Sequence, residues 1–559
     1  MHGLGVSVVA VISEKPPPIL ADIERLSEVA FPNRSASLIK ITTLSDCLRI
    51  VSVISIAVYL ALFGFVSVTR TGHFELDSMN YVNVARNLLS GKGLSQPTLG
   101  CNQRTFSVDA KIPTPFTVQA PLYPILIAFL ASTGIATTTS ALLLSAISYA
   151  ATFLLIYKFT DELYDEATAV FAVGVLSIYQ PLHRLANYAL SDVMAIDFTL
   201  LSFWLLVKKS EKGRNWLVFS SGIVAGFAFA TRYALLPVFG TNVLLLLINW
   251  KGWRRTFLEI WLCTLGFAIP AGVIFGHNLV ITGSPVPVLA SAHGSLVHAL
   301  MKTRILFERY LGTRWPHLQE AMFLLSLVAF FGLLVGREQV VATGRYLFSP
   351  QRCLPILWSA VCLIFLYVIT SRSQQQLERR FFAPIGVTMS IVWAAIAVRA
   401  SRVSVRTARA VVVALLLFAV VREAVAAKRR SRLDLGLRIQ RSERLTWLAT
   451  HTSDRDLIIG NDAVDISFFL NRPFTVSFSS FRYTSPATYE IVTTYTKRHC
   501  DEYQDIYLVL HDGRWTEAQW RFWYGDFFAD LASGKLQKYP NIALVQCLQD
   551  GSIFHIVCH

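Results

Sequence analysis

The sequence is short of charge: 16% of its 559 residues are Asp, Glu, Lys or Arg, against about 25% in a soluble domain. Much of its surface therefore never meets water. None of its eight cysteines stands at CxxC spacing, which removes the common structural zinc sites. It has no Walker A motif and no complete GxGxxG, which argues against direct use of a nucleotide in a soluble domain. No basic run is interleaved with aromatics, so the net charge of +15 does not read as nucleic-acid binding.

What is present is apolar: 53% of residues are hydrophobic, and mean hydropathy is +0.48. These residues come in long blocks parted by short charged spacers. A membrane-spanning helix needs about 20 apolar residues. Candidates are Ile50–Thr69, Thr139–Tyr157, Ala167–Leu182, Leu190–Val207, Trp216–Thr231 and Tyr233–Trp250. Phe257–Ile281, Ala321–Gly336, Leu354–Thr370, Phe382–Val398 and Ala408–Val421 follow, making about 11 transmembrane helices. The run Val6–Ile12 is too short to span, and Pro16, Pro17 and Pro18 break any helix beside it.

Charge placement orients the bundle, because Lys and Arg gather in short cytoplasmic loops. With the N-terminus inside, inner loops carry Lys208, Lys209, Lys212 and Arg214, then Lys251, Arg254 and Arg255. The next two carry Arg337, Arg345 and Arg352, then Arg399, Arg402, Arg406 and Arg409. The acidic loop Lys158–Glu166 does not follow the rule. Three segments too polar to span lie outside: Arg70–Ala120, Thr282–Glu320 and Ser371–Arg380. Pro121–Thr133 is apolar but short, and reads as an interfacial helix. An odd helix count puts the C-terminal part outside as well.

From about Arg438 short β-branched runs appear: Asp456–Asn461, Phe474–Phe478, Asp505–His511, Ile542–Gln546 and Ile553–Val557. The expected fold class is a polytopic α-helical membrane protein with a small C-terminal α/β extracytoplasmic domain. Its parts are a cytoplasmic tail (1–48), a transmembrane module (49–430, with the first outer loop at 70–120) and the α/β domain (431–559). Cys500, Cys547 and Cys558 share that last domain. Two of them are able to pair if it faces an oxidising compartment.

The first outer loop carries the most specific pattern. Glu75-Leu76-Asp77-Ser78 opens a helix that puts Tyr81, Ala85 and Leu88 or Leu89 on one face, and Gly91 and Gly93 end it. Asp77 reads either as a helix N-cap or as a carboxylate set at the membrane surface for chemistry. Asp192, after Ser191, is open to the same two readings. Arg232 and the pair Arg379 and Arg380 sit at outer helix ends, where arginine either anchors in the interface or grips phosphate. Lys302, Arg304 and Arg309 read as a solvated or headgroup-facing surface. His73, His183 and His277 are scattered without ligand spacing, so no metal is indicated.

Taken in order, these pieces resemble the GT-C superfamily of membrane glycosyltransferases that use polyprenyl-phosphate sugars. The resemblance rests on Leu76–Gly93, Gln119-Ala120-Pro121-Leu122-Tyr123-Pro124, Ala189-Leu190-Ser191-Asp192, and Ala225-Gly226 with Thr231-Arg232-Tyr233. Asn278 with Thr282-Gly283-Ser284-Pro285, and Glu378-Arg379-Arg380-Phe381-Phe382-Ala383-Pro384, complete it. The branch includes protein mannosyltransferases and lipid A or lipopolysaccharide-core sugar transferases.

The resemblance implies Asp77 as catalytic base in an inverting transfer, and a polyprenyl-phosphate sugar as donor. The acceptor is a lipid A, glycolipid, polysaccharide or protein hydroxyl on the outer face of the inner membrane. Tyr81, Gln119, Asp192, Arg232, His277, Asn278, Arg379 and Arg380 are the expected substrate-binding residues. No cofactor is expected, since the lipid-linked sugar is a substrate. The lipid bilayer is a partner and nucleic acid is not.

The sequence departs from the family pattern at Ser78, Asn80, Gln119, Ala120 and His277, which removes phosphate-binding cations from the first loop. Two other readings stand beside the enzyme: a transporter or lipid flippase, and an inactive relative. The absence of paired, Gly/Pro-split segments in corresponding halves counts against the transporter.

Overall fold

The computed structural model describes residues 34–71, 74–99, 109–212, 215–285, 337–372, 379–401, 405–429, 441–477, 488–511, 516–517, 520–521 and 526–557. The expected span Ala321–Gly336, the cluster Lys302, Arg304 and Arg309, and Val6–Ile12, His73, Cys101, Glu378 and Cys558 lie outside them. The chain forms two compact units, Met1–Ile54 and Ser55–His559. The first contributes residues 34–54 of a helix running Arg34–Val66. The second holds both the transmembrane module and the C-terminal sheet, and it is described below.

Helices occupy every other expected span. They are Thr137–Leu163, Glu166–Ile178, Ser191–Lys212, Asn215–Thr231, Leu236–Ile248, Trp253–Thr282, Leu354–Arg372, Ala383–Ser401 and Val405–Arg429, together with the end of Arg34–Val66. Four segments among the described residues are long and apolar enough to cross a membrane: Ile50–Thr69, Thr137–Leu163, Trp253–Thr282 and Arg380–Arg399. Shorter apolar helices include Glu166–Ile178, Asn215–Thr231 and Leu354–Val368.

Two details differ from expectation. Ala167–Leu182 is not one helix: it stops at Ile178, and Gln180–Asn187 restarts with Pro181 in its first turn, a position where the missing N–H costs nothing. The expected inner loop after Gly336 contains a helix, Arg337–Leu347.

Close helix packing is written in small residues. A Cβ on Gly222 would sit 2.1 Å from the Cys263 carbonyl oxygen, and one on Gly266 would sit 2.2 Å from that of Phe219. Only glycine lets Asn215–Thr231 and Trp253–Thr282 approach so closely.

The five C-terminal runs all become strands: β4 Leu457–Gly460, β5 Thr475–Ser477, β6 Ile506–His511, β7 Ile542–Leu548 and β8 Gly551–Ile556. β5, β4 and β6 are parallel, while β8 and β7 add antiparallel. The segment following the first-loop helix supplies β1 Ser95–Gln96, β2 Thr98–Leu99 and β3 Thr114–Pro115. β1 pairs with β3, and β2 adds in parallel to β5, making a six-stranded sheet ordered β2-β5-β4-β6-β8-β7. The C-terminal sheet is therefore completed by a strand from the loop that carries Asp77. Further ties join loop and domain: Arg498–Asp109 at 2.5 Å, Lys111–Glu502 at 3.2 Å, and a hydrogen bond from the Tyr495 hydroxyl to the Ala110 carbonyl.

Candidate active site

The first-loop helix runs Leu76–Leu89. Its cap is Glu75: Ser78 Oγ accepts from the Glu75 backbone N–H at 2.7 Å, and the Glu75 carboxylate accepts from the Ser78 backbone N–H. This reciprocal box satisfies the first orphan donors. It also settles the alternative reading of Asp77, which lies inside the first turn and caps nothing. Ser78, where the family pattern has a second acid, performs this capping. The helix is not amphipathic in its setting, because Asn80, Asn83 and Asn87 are buried along with Tyr81, Val84 and Ala85. Phe468, on the C-terminal helix Ala463–Leu470, packs on Phe74 and beneath the Arg86 guanidinium, covering the polar side.

The Asp77 carboxylate is held from two directions. Gln119 Nε2 donates to one oxygen at 2.9 Å, and Arg380 pairs with the other. Gln119 is itself oriented, its carbonyl oxygen accepting from Asn80 Nδ2 at 3.2 Å. The Asp77 and Arg380 side chains are 18% and 17% exposed, so the pair sits at a surface opening rather than in the core.

A second pair stands beside it. Arg232 meets Asp192 at 2.5 Å, with Asp192 only 2% exposed. The Phe381 ring links the two pairs, lying 5.0 Å from the Arg232 guanidinium and 5.7 Å from that of Arg380. Asp192, Arg232, Arg380, Phe381, Cys362 and Pro384 line one cleft. Among the described residues no three His, Cys, Asp or Glu side chains converge as metal ligands, and each of these two carboxylates is engaged by a guanidinium.

The remaining expected residues fall at graded distances. Tyr81 bonds the Ser191 hydroxyl at 3.1 Å, next to Asp192. Burial, and then the Asp77 charge, push its phenol well above its ordinary value, so it stays a neutral hydroxyl. Asn278 donates to the Tyr233 hydroxyl at 3.4 Å, which in turn donates to the Thr117 carbonyl at 3.3 Å. Asn278 thus braces the loop end and does not line the cleft. His277 is half-buried, with no hydrogen-bond partner for its Nε2 among the described residues, and it too lies outside the cleft lining. Arg379 opens the turn Arg379–Phe382, and its side chain falls outside the described part. His183, an outer histidine by sequence, is buried in an ion pair with Glu423 at 2.5 Å.

Sequence reasoning missed the roles of Phe381 and Asn80. Phe381 gave no signal as a lone aromatic, but it is the shared face of two arginines. Asn80 looked like a lost cation, whereas it fixes the amide that holds Asp77.

The family model for dolichyl-phosphate-mannose-protein mannosyltransferase matches residues 118–275, which include Gln119, Asp192 and Arg232. No curated protein matches by sequence. Among solved structures, ArnT from Cupriavidus metallidurans bound to undecaprenyl phosphate aligns with a TM-score of 0.54 at 12% identity, over 90% of this chain and 97% of that one. The oligosaccharyltransferase AglB from Archaeoglobus fulgidus, in complex with an inhibitory peptide and a dolichol-phosphate, aligns with a TM-score of 0.51 at 12% identity. That alignment covers 85% of this chain and 72% of that one. The resemblance to polyprenyl-phosphate-dependent GT-C membrane glycosyltransferases therefore holds in a stretch of sequence and in the fold of nearly the whole chain.

Proposed function

We propose that this chain is an inverting glycosyltransferase that moves a sugar from a polyprenyl phosphate to a hydroxyl of an envelope acceptor, on the outer face of the membrane. The observation that carries the reading is the cleft in which two arginines, each holding a carboxylate, flank one aromatic ring. A phosphate presents a planar pair of oxygens to a guanidinium and competes well with a carboxylate for it. On donor binding the phosphate draws Arg380, and then Arg232, toward itself. Asp77 is released from its cation while Gln119 still holds it in place.

The transfer then balances simply. The acceptor hydroxyl gives its proton to the free Asp77 oxygen as its own oxygen bonds to the anomeric carbon. The bond from that carbon to the phosphate oxygen breaks, and its electron pair leaves with the polyprenyl phosphate. One positioned carboxylate is the minimum such a step needs, because the sugar becomes cationic as the phosphate departs. The guanidiniums stabilise the charge arriving on the leaving phosphate.

The carriers held by the ArnT and AglB relatives, undecaprenyl phosphate and dolichol-phosphate, support a lipid-linked donor here. The placement of the C-terminal sheet outside the membrane is supported by Cys500, which is disulfide-bonded, since such bonds persist in oxidising compartments.

Mass spectrometry of envelope glycolipids, polysaccharides and glycoproteins, from cells with and without this chain, tests the reading. A species heavier by one sugar residue, present only with the chain, is expected. Identical profiles in all fractions would remove the proposal.

A further inference from the structure

Behind the first-loop helix, away from Asp77, lies a second cleft of ≈ 520 Å³, within the range of small-ligand sites. The first loop lines one side with Asn83, Arg86 and Lys92. The C-terminal domain lines the other with Asn471, Arg472 and Asp454. Asn83 is 2% exposed, and its amide nitrogen has no hydrogen-bond partner among the described residues. A buried donor in that condition costs free energy unless a ligand or water meets it.

Arg86 is the second observation. It is half-buried and gives hydrogen bonds to the Phe468 carbonyl at 2.9 Å and to the Asn83 side-chain oxygen at 3.3 Å. No carboxylate pairs with it among the described residues, and burial pulls its guanidinium below the ordinary value. A desolvated cation calls for an anion. Lys92 adds an exposed positive charge at the rim, while the one acid among the described lining residues, Asp454, already pairs with Arg472 at 2.7 Å.

We infer that this cleft binds the carboxylate or phosphate of an acidic saccharide, with Arg86 and Lys92 taking the charge and Asn83 and Asn471 the hydroxyls. Arg86 stands nine residues after Asp77, which places it about 13 Å along the helix and half a turn round it. The cleft therefore holds a unit of the acceptor remote from the reacting hydroxyl. Binding energy from such a unit serves to position the reacting end. The inference rests on the glycosyltransferase reading only in calling the ligand an acceptor; the cleft's chemistry stands by itself.

The test uses the full chain in detergent, with trigalacturonic acid, its neutral methyl ester and inorganic phosphate as probes. The acid is expected to bind at least ten-fold tighter than the ester, and the preference should shrink as salt rises. Arg86→Gln should weaken acid binding ten-fold or more, and Lys92→Gln, at an exposed position, should weaken it several-fold. Asp77→Asn should bind the acid as the unaltered chain does even though its transfer rate falls sharply. Phosphate competing as well as the trisaccharide would assign the site to a bare oxyanion and overturn the saccharide proposal. Equal binding of acid and ester, no binding of either, or indifference to both Arg86→Gln and Lys92→Gln would overturn it too, leaving the transfer reading to its own test.

Discussion

The guanidinium of Arg380 pairs with the carboxylate of Asp77, 303 residues earlier in the chain. The fold thereby brings the start of the helix Ala383–Ser401 onto the segment that carries Asp77. In this resting arrangement the proposed general base is paired with the cation that the donor phosphate is expected to claim.

The proposed exchange would make Arg380 a donor-binding group. Replacing it with Gln removes a charged hydrogen bond worth about 1.5–3 kcal/mol, so the donor KM should rise roughly 10- to 100-fold. Arg380→Lys should recover only part of this, because an ammonium cannot make the paired contact of the guanidinium fork. Steady-state kinetics on purified protein, varying the lipid donor, checks this. An unchanged donor KM in Arg380→Gln would contradict it.

The Asp192–Arg232 pair is more deeply buried, and stability decides its test. Removing one partner of a buried pair leaves the other charge unpaired, at a cost of about 3–5 kcal/mol. Arg232→Gln should therefore unfold well before the unaltered chain. The double variant Arg232→Gln with Asp192→Asn should regain much of the loss, though not the activity. Thermal unfolding in detergent reads both. A double variant no more stable than the single one would show that the pair is not coupled.

Much of this was legible in the sequence. Helix positions followed from apolar runs of spanning length, and the C-terminal strands from their β-branched composition. The residues at Asp77, Gln119, Asp192, Arg232 and Arg380 were marked by order along the chain, and four of them now form the two ion pairs. Long-range partnership was not legible. Which arginine meets which carboxylate depends on how closely helices pack, as at Gly222 and Gly266. The addition of β2 to β5 joins segments 377 residues apart, as their Thr98–Thr475 contact shows, and a two-residue strand carries no periodic signal. The break at Tyr179 was missed because the apolar run continues through it, and only Pro181 hinted at a new start.

The C-terminal sheet region carries an acid-sensitive carboxyl. Asp530 accepts from Lys538 Nζ at 2.9 Å and from the Tyr539 hydroxyl at 3.1 Å. Lys538 first, and Tyr539 after it, hold this carboxyl below the ordinary carboxylate range. A depressed carboxyl stabilises the fold above its unfolded value of about 3.9, and that stability is lost as pH falls through the lower folded value. The chain should lose stability below about pH 4. Asp530→Asn should be less stable at neutral pH and should lose less on acidification. Hydrogen exchange across Asp526–Ala532 follows this locally, and parallel pH curves for the two proteins would contradict it.

Cysteine chemistry tests the topology. Cys500 is disulfide-bonded, whereas Cys547 is free and exposed, so the two do not pair with each other. Non-reducing peptide maps should show Cys500 in a bridge and Cys547 as a thiol. A membrane-impermeant maleimide added to intact spheroplasts should label Cys547. A Cys500–Cys547 bridge, or labelling only after lysis, would contradict the arrangement.

The most direct measurement is single-turnover transfer by purified Asp77→Asn, with a polyprenyl-phosphate sugar and the acceptor found in the envelope. Removing a general base costs roughly 10²- to 10⁴-fold in rate. The expected result is a loss of that size with donor binding kept and the fold intact. Transfer at the unaltered rate would contradict the account, because the carboxylate that lines the cleft among the described residues, Asp192, is held by Arg232.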